Sequence, residues 1–180
     1  MKGLKTISAI ALLGFMVISQ KANAQTLPGI DIKPEIKPQI QRLQVESTPN
    51  PNSRQNDEKA QAYFEKGMKL VEADKYPEAI QAFSEVIKIQ PNNQYAYLLR
   101  GFSYIQLEKY TLAKADLDKT IELDNSIAYA YYFRGFTNYE LGNKNNAITD
   151  FQTAAKLFDK EGRTEQAQKS RDAIKYIRNA

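Results

Sequence analysis

One spacing constrains this chain more than any other: four sets of residues recur with a period of 34 positions. A glycine, an alanine and two aromatic or apolar positions keep this period in phase, namely Gly67, Gly101 and Gly135; Ala79, Ala113 and Ala147; Phe83, Leu117 and Phe151; and Tyr63, Tyr97 and Tyr131. A period of this length is typical of stacked repeats, in which each unit packs mainly on its neighbours.

Each period has room for two helices joined by a turn. The pattern predicts first helices over about 58–73, 94–107 and 128–141, and the turns that follow are Asp74-Lys75, Glu108-Lys109 and Gly142-Asn143. The small glycine and alanine let the two helices approach closely, and the aromatic residues fill the space between them. One hairpin cannot bury such a face alone, so we expect three hairpins to stack over 60–93, 94–127 and 128–161.

The C-terminal segment 162–180 has its own helical pattern. From Thr164 to Arg178, apolar residues gather on one side of a predicted helix, namely Ala167, Ala173, Ile174 and Ile177. The segment lacks the glycine and alanine of the repeats. We therefore expect a capping helix that covers the apolar side of the third hairpin.

These residues resemble the tetratricopeptide repeat (TPR) family, because Tyr-x-x-x-Gly is followed twelve residues later by Ala in all three units. The sequence departs from the family pattern at Asn125 and Asp159, which replace the proline found at Pro91, and at Leu117, which replaces an aromatic residue. The resemblance implies an all-α fold, an α-solenoid of three hairpins plus the capping helix. It also implies a protein–protein interaction scaffold that binds a protein or peptide partner.

In this family the first helices line a concave groove that holds peptides. Carried over by repeat position, the predicted peptide-binding residues are Phe64, Met68, Tyr95, Leu98, Phe102, Tyr129, Tyr132, Phe136 and Tyr139. Chaperone-binding relatives hold a terminal carboxylate with Lys, Asn and Arg, whereas the corresponding positions here carry Phe64, Met68, Leu99, Tyr129 and Phe133. The resemblance therefore implies apolar or aromatic peptide ligands, with some of these rings packing between repeats instead.

The N-terminal region is predicted to be separate from the repeats. Residues 1–24 combine Lys2 and Lys5 with an apolar run and a small-residue ending, Ala22-Asn23-Ala24, which indicates a signal peptide cleaved after Ala24. The run is short for a membrane span, so a retained anchor is the lesser alternative. Residues 25–56 contain five prolines and predict a disordered linker, whose isoleucines could also enter a groove of a partner or of the chain itself.

Composition excludes several functions. The chain has no cysteine and no histidine, so disulfides, thiolate nucleophiles, Cys/His zinc sites and an imidazole base are excluded. Without residues 1–24, which carry Lys2, Lys5 and Lys21, 22 basic residues face 21 acidic ones, so we expect no nucleic-acid partner. No phosphate loop or nucleophile motif is present, and we expect neither an enzyme nor a cofactor.

Charged residues also follow the repeat. Arg100 and Arg134 precede their glycines, and Asp116 and Asp150 follow sixteen residues after each arginine. We expect structural pairs between guanidinium and carboxylate groups, with a ligand-holding basic row as the alternative.

The sequence leaves two roles open for the repeats: a peptide-binding scaffold, or a structural cell-envelope protein that associates with itself as a homo-oligomer. With the predicted signal peptide, we expect a secreted or periplasmic protein, and the repeats resemble those of exported bacterial, including cyanobacterial, proteins. No stable membrane span is expected after cleavage.

Overall fold

The computed structural model describes the chain over residues 51–179, with side-chain surroundings from residue 55 onward. This part of the chain is helical and contains no strand. Its seven helices are α1 (Pro51–Glu72), α2 (Tyr76–Ile89), α3 (Gln94–Gln106), α4 (Tyr110–Leu123), α5 (Ala128–Glu140), α6 (Lys144–Lys160) and α7 (Thr164–Asn179).

Successive helices pack against each other along the whole described chain. The closest pairs are α1 with α2, α3 with α4 and α5 with α6, which are the three predicted hairpins, and α7 packs on α6. The first helices α3 and α5 also touch each other. The all-α solenoid of three hairpins and a C-terminal helix is therefore confirmed.

The turn inside each hairpin has the same backbone geometry three times. Asp74, Glu108 and Gly142 adopt positive φ angles of 58°, 55° and 79°. In each case the next residue closes the turn, as when the Lys109 amide donates to the carbonyl of Tyr104 at 2.9 Å. This arrangement ends a helix in the left-handed conformation and satisfies its last carbonyl groups. Only the third hairpin uses glycine, the residue that adopts this conformation without strain.

Close approach of the paired helices explains the periodic glycines. A Cβ atom on Gly67 would lie 2.6 Å from the ring of Phe83, and one on Gly135 would lie 3.2 Å from the ring of Phe151. The periodic alanines on the second helices are fully buried, namely Ala79, Ala113 and Ala147. The 34-residue pattern therefore arises from the close contact between the two helices of each hairpin.

The first helix begins earlier than the sequence predicted. α1 starts at Pro51, inside the segment 25–56 that was predicted to be a disordered linker. Proline is tolerated in the first turn of a helix, and no proline follows Pro51 until Pro77, so nothing in between interrupts the helix. The rest of the predicted linker, 25–50, and the predicted signal peptide, 1–24, lie outside the described residues.

None of the helices within residues 51–179 has the length and the apolar character needed to cross a membrane.

Candidate peptide-binding surface

The nine predicted groove residues form a set on α1, α3 and α5, which we call the inner stripe (Phe64, Met68, Tyr95, Leu98, Phe102, Tyr129, Tyr132, Phe136 and Tyr139). The structure buries six of them, Phe64, Leu98, Phe102, Tyr129, Tyr132 and Phe136, and leaves Met68, Tyr95 and Tyr139 half-buried. Leu98 is 1% exposed and Phe102 is 2% exposed. An openly exposed aromatic lining is therefore not what the structure shows.

Contacts between helices explain part of this burial. The ring of Phe102 on α3 lies 5.4 Å from that of Phe133 on α5 and 6.2 Å from that of Tyr76 at the start of α2. One repeat later, Phe136 lies 6.2 Å from Tyr110 at the start of α4. Each ring of this kind joins its own repeat to the preceding one, which is a packing role that the sequence analysis assigned to only some of these residues.

Two tyrosines of α5 pack against α6, the second helix of the same hairpin. Tyr132 lies edge-on to Phe151, with a centroid distance of 5.4 Å, and Tyr129 lies edge-on to Phe158 at 5.0 Å. Edge-to-face pairs of this kind stabilise a core beyond the area they bury. Phe64 makes the corresponding contact in the first repeat, at 5.7 Å from Phe83.

Arg163, which the sequence analysis did not single out, completes this region of the surface. Its Nη2 donates to the hydroxyl of Tyr129 at 2.6 Å, and its guanidinium carbon lies 4.7 Å from the centroid of the Tyr129 ring. Arg163 follows Tyr129 by 34 residues, but the equivalent earlier positions carry Gln61 and Tyr95, so the repeat pattern did not predict an arginine here. α7 begins 36 residues after the start of α5, two residues later than the repeat period would place it.

Electrostatic conditions on the inner stripe favour neutral tyrosines. Burial raises the pKa of Tyr132 to about 12. Burial, followed by the charges of Asp124 and Glu161, raises the pKa of Tyr95 to about 12 as well. At neutral pH both phenols are therefore protonated, and the stripe offers rings and hydroxyl groups rather than phenolate charge.

Acidic residues lie at one end of the surface, at the hairpin turns. Burial, and next to it the negative charge of Glu108, raises the pKa of Glu140. The same two carboxylates raise the pKa of Tyr110 after the effect of burial. Two carboxylates of neighbouring repeats are thus close enough to repel each other, which the spacing of the motif did not reveal.

The predicted arginine–aspartate pairs are present. Arg100 donates through Nε and Nη2 to the two carboxylate oxygens of Asp116, both at 2.8 Å. Arg134 makes the same bidentate pair with Asp150, at 3.0 and 2.7 Å. Hydrogen bonding to Asp116 raises the pKa of Arg100. The structural interpretation of the pairs is confirmed.

The arginines also reach the preceding repeat, which the sequence analysis missed. Nη1 of Arg100 donates to the hydroxyl of Ser84 at 3.0 Å, and Nη1 of Arg134 donates to Asp118 at 2.9 Å. Ser84 and Asp118 are 34 residues apart, so the repeat period contained this signal as well. Each arginine therefore joins three helices from two repeats.

Five positions were predicted from the family resemblance to correspond to a carboxylate-holding site, and none of them carries a charged side chain here. Phe64, Leu99, Tyr129 and Phe133 are buried, and Met68 is half-buried. Residues 51–179 also hold no group of three or more acidic, cysteine or histidine residues that could bind a metal ion. The side chains of the inner stripe are therefore apolar apart from the hydroxyl groups of its tyrosines.

The described part of the chain consists of stacked helical hairpins that arginine side chains join to one another, and it has an apolar inner stripe. These features define a helical-repeat protein of the kind that binds other proteins. The model of the tetratricopeptide repeat matches residues 60–93, 95–127 and 128–161, which is more than half of the chain. The chain belongs to the tetratricopeptide repeat family. A search of curated proteins finds no match to it.

Solved structures show the same fold. The TPR domain of Arabidopsis OM64 is 26% identical, with a TM-score of 0.63, and the match covers 69% of this chain and 98% of that domain. The second TPR domain of human RPAP3, in complex with the HSP70 peptide SGPTIEEVD, is 27% identical, with a TM-score of 0.61 and coverage of 68% and 98%. The TPR2B domain of yeast Sti1 is 21% identical, with a TM-score of 0.64 and coverage of 67% and 97%.

Proposed function

We propose that this chain is a non-enzymatic binding module whose inner stripe holds an extended, apolar segment of a partner protein. The observation that carries the proposal is the chemistry of the stripe, which consists of rings and aliphatic groups on three successive first helices. Aromatic residues concentrate at binding hot spots because they bring a large contact area with few rotatable bonds.

Relatives of known structure support the general mode of binding. The second TPR domain of human RPAP3, 98% of which matches 68% of this chain, is in complex with the HSP70 peptide SGPTIEEVD. The family resemblance implies that Phe64, Leu99 and Phe133 stand at positions where chaperone-binding relatives hold a carboxylate. We therefore infer that the ligand differs from an acidic C-terminal peptide and that it presents apolar side chains instead.

Isothermal titration tests this preference. The probes are a ten-residue peptide of alternating Ile and Ser residues and the acidic peptide SGPTIEEVD, each titrated into the full chain. We expect measurable binding of the apolar peptide and none of the acidic one. The reverse order of affinities would refute the proposal.

A pair of variants locates the binding site. Tyr95 is half-buried on the inner stripe, so Tyr95→Glu should abolish binding of the apolar peptide by placing a charge there. Leu112→Glu is the matched control, because Leu112 is 49% exposed on α4, a second helix of a hairpin. Equal losses in both variants would place the binding elsewhere.

Self-association is the second candidate function, and the N-terminal end of the stack favours it. Here α1 and α2 line a pocket of 720 Å³ that includes Tyr63, Lys66, Leu70 and Ile80. The equivalent arginine in the next repeat, Arg100, contacts the preceding hairpin, whereas Lys66 is exposed. Light scattering after size exclusion at several concentrations distinguishes the two functions, because a peptide-binding module stays monomeric.

We also propose that the protein is exported and acts in the periplasm or outside the cell, on the basis of the sequence of residues 1–24. Cell fractionation with N-terminal sequencing tests this proposal. A mature protein that begins at Gln25 is the expected result. A full-length protein in the cytosol would contradict it.

A further inference from the structure

The first repeat keeps the cation of the arginine–aspartate pairs but lacks its carboxylate. Lys66 stands 34 residues before Arg100, and Ala82 stands 34 residues before Asp116. Lys66 is exposed, and within the part of the chain whose side chains are described it has no hydrogen-bond or ion-pair partner. The first hairpin therefore presents a positive charge that the second hairpin neutralises with its own aspartate.

The pocket of 720 Å³ between α1 and α2 lies beside this lysine, and we call it the N-terminal groove. Half-buried apolar side chains line it, namely Tyr63, Leu70 and Ile80. The charged residues that line it are Lys66, Lys75, Lys88, Glu78 and Glu85. Glu85 and Lys88 pair with each other at 2.6 Å, which leaves two lysines and one glutamate. The N-terminal groove thus combines apolar side chains with a net positive charge.

The two later repeats show which element lies at the equivalent position. Nη1 of Arg100 donates to Ser84 of α2 at 3.0 Å, and Nη1 of Arg134 donates to Asp118 of α4 at 2.9 Å. α2 packs on α3, and α4 packs on α5. At both junctions, the second helix of the preceding hairpin therefore packs beside the cation and supplies an oxygen acceptor. No hairpin precedes α1 within residues 51–179.

We propose that the N-terminal groove binds an amphipathic helix of a partner protein, which places an aspartate or glutamate against Lys66. The apolar side of that helix packs on Tyr63, Leu70 and Ile80. A helix that covers the groove removes water from Lys66, and a buried ammonium group is costly unless a carboxylate pairs with it. Because Ala82 stands where the later hairpins have an aspartate, that carboxylate comes from the partner. The groove shares no residue with the inner stripe, so this inference goes beyond the proposed peptide binding.

Charge favours an acidic partner over a second copy of the chain, which is the competing occupant. Two copies that met through the N-terminal groove would bring two positively charged surfaces together, and like charges across an interface oppose association. At the other end of the described stack, α7 turns its apolar side toward α6. The exposed side chains of α7 are all polar or charged, namely Thr164, Glu165, Gln168, Arg171, Asp172, Lys175, Arg178 and Asn179. That end therefore offers no apolar helix face to the groove of a second copy.

Helix α4 supplies a probe for the N-terminal groove, because it already packs beside the equivalent cation, Arg134, in the third repeat. The probe is a synthetic peptide of residues 109–124 with an N-terminal fluorescein label, and a hydrocarbon staple between positions 115 and 119 holds it helical. The stapled peptide keeps four acidic residues and two lysines, and Asp118 is the acceptor to be tested. Fluorescence anisotropy measures its binding to the full chain.

A single charge reversal in the groove should weaken this binding. We expect Lys66→Glu to raise the dissociation constant about tenfold, because the new carboxylate opposes that of Asp118. The matched control is Lys69→Glu, since Lys69 is exposed on the same helix and does not line the groove. The control should bind the peptide as the unchanged chain does. Equal losses in the two variants would overturn the proposal.

The reciprocal reversal identifies the interacting pair. The peptide variant Asp118→Lys should bind the unchanged chain about tenfold more weakly and should regain affinity for the Lys66→Glu chain. Absence of this rescue would overturn the proposal. Absence of binding between the unchanged peptide and the unchanged chain would overturn it as well, because α4 fits the equivalent position of the third repeat.

Two further measurements separate the alternatives. In light scattering after size exclusion, a dimer that Lys66→Glu dissociates would assign the N-terminal groove to a second copy and overturn the proposal, whereas we expect a monomer. Tyr95→Glu, which alters the inner stripe, should leave binding of the α4 peptide unchanged. If Tyr95→Glu and not Lys66→Glu weakens that binding, the peptide occupies the inner stripe. That result would refute this inference and leave the proposed function intact.

Discussion

The guanidinium of Arg134 on α5 and the carboxylate of Asp150 on α6 form a bidentate pair, with distances of 3.0 and 2.7 Å between donor and acceptor atoms. Asp150 is buried, and it also accepts from the side-chain amide of Asn138 at 2.8 Å. Planar pairs of this kind fix geometry as well as charge. The pair thus holds the two helices of the third hairpin in one relative position.

Removal of Arg134 should therefore destabilise the fold. Arg134→Ala leaves a buried carboxylate without its cation, and we expect a loss of about 2 to 3 kcal/mol in the free energy of unfolding. The control is Arg171→Ala, because Arg171 and Asp159 form an exposed pair that should contribute about 1 kcal/mol or less. Chemical denaturation of both variants measures the difference. Equal losses would contradict the structural role.

The close approach at Gly67 makes a second prediction. Alanine normally stabilises a helix interior relative to glycine by about 1 kcal/mol. At Gly67, however, the new Cβ would lie 2.6 Å from the buried ring of Phe83, whereas at Gly101 the nearest atom, Leu117 Cγ, is at 3.2 Å. We expect Gly67→Ala to lower the melting temperature more than Gly101→Ala does. A rise in melting temperature for Gly67→Ala would contradict the observed packing.

The turn at Glu108 makes a third prediction, in which a substitution raises the stability of the fold. Glu108 has a φ angle of 55°, a conformation that costs a non-glycine residue about 1 kcal/mol. Glu108→Gly should therefore raise stability by roughly that amount, as at Gly142 in the third hairpin. Glu108→Ala is the matched control, because it removes the same charge and retains the backbone strain. Thermal unfolding should rank Gly above Ala. The reverse ranking would show that charge, rather than backbone conformation, decides stability here.

Glu140 makes a prediction about pH. Burial and the charge of Glu108 raise its pKa in the folded state, so the folded protein holds this proton more tightly than the unfolded chain does. The contribution of Glu140 to stability is therefore greatest below the unfolded pKa of about 4.3 and is lost as the pH rises through the raised folded value. We expect Glu140→Gln to raise the melting temperature at pH 7 and to have little effect at about pH 3.5.

The exposed residue Glu122 provides the control for this pH dependence. Glu122→Gln should leave the melting temperature at pH 7 nearly unchanged, since Glu122 forms an exposed pair with Lys119. An equal gain for Glu140→Gln at both pH values would contradict the electrostatic origin of the effect.

The helical pairs were predictable because their signals are local and periodic. Gly67 and Ala79 are small because two helices approach closely there. The first helices end, as predicted, at turns that contain Asp74, Glu108 and Gly142. The arginine pairs followed from the same period. The start of α1 at Pro51 was missed because proline was taken to interrupt a helix that it can also begin.

Exposure of the inner stripe could not be read from the sequence. Repeat position predicts which way Phe102 or Tyr132 points, but whether a ring ends at a surface or inside depends on neighbours from other repeats. Phe102 meets Phe133 because α3 and α5 lie side by side, which is a tertiary relationship between residues 31 positions apart. The close pair Glu108 and Glu140 escaped notice for the same reason.

The arginine that joins one hairpin to the next indicates where a further repeat can be inserted. Arg134 donates a hydrogen bond to Asp118 in the preceding hairpin, just as Arg100 donates one to Ser84. The middle unit, 94–127, therefore contains both an arginine donor, Arg100, and an acceptor, Asp118. A second copy of this unit inserted after residue 127 would meet an arginine–aspartate junction on each side. Such a duplication should lengthen the molecule by one hairpin while both of its ends remain as they are.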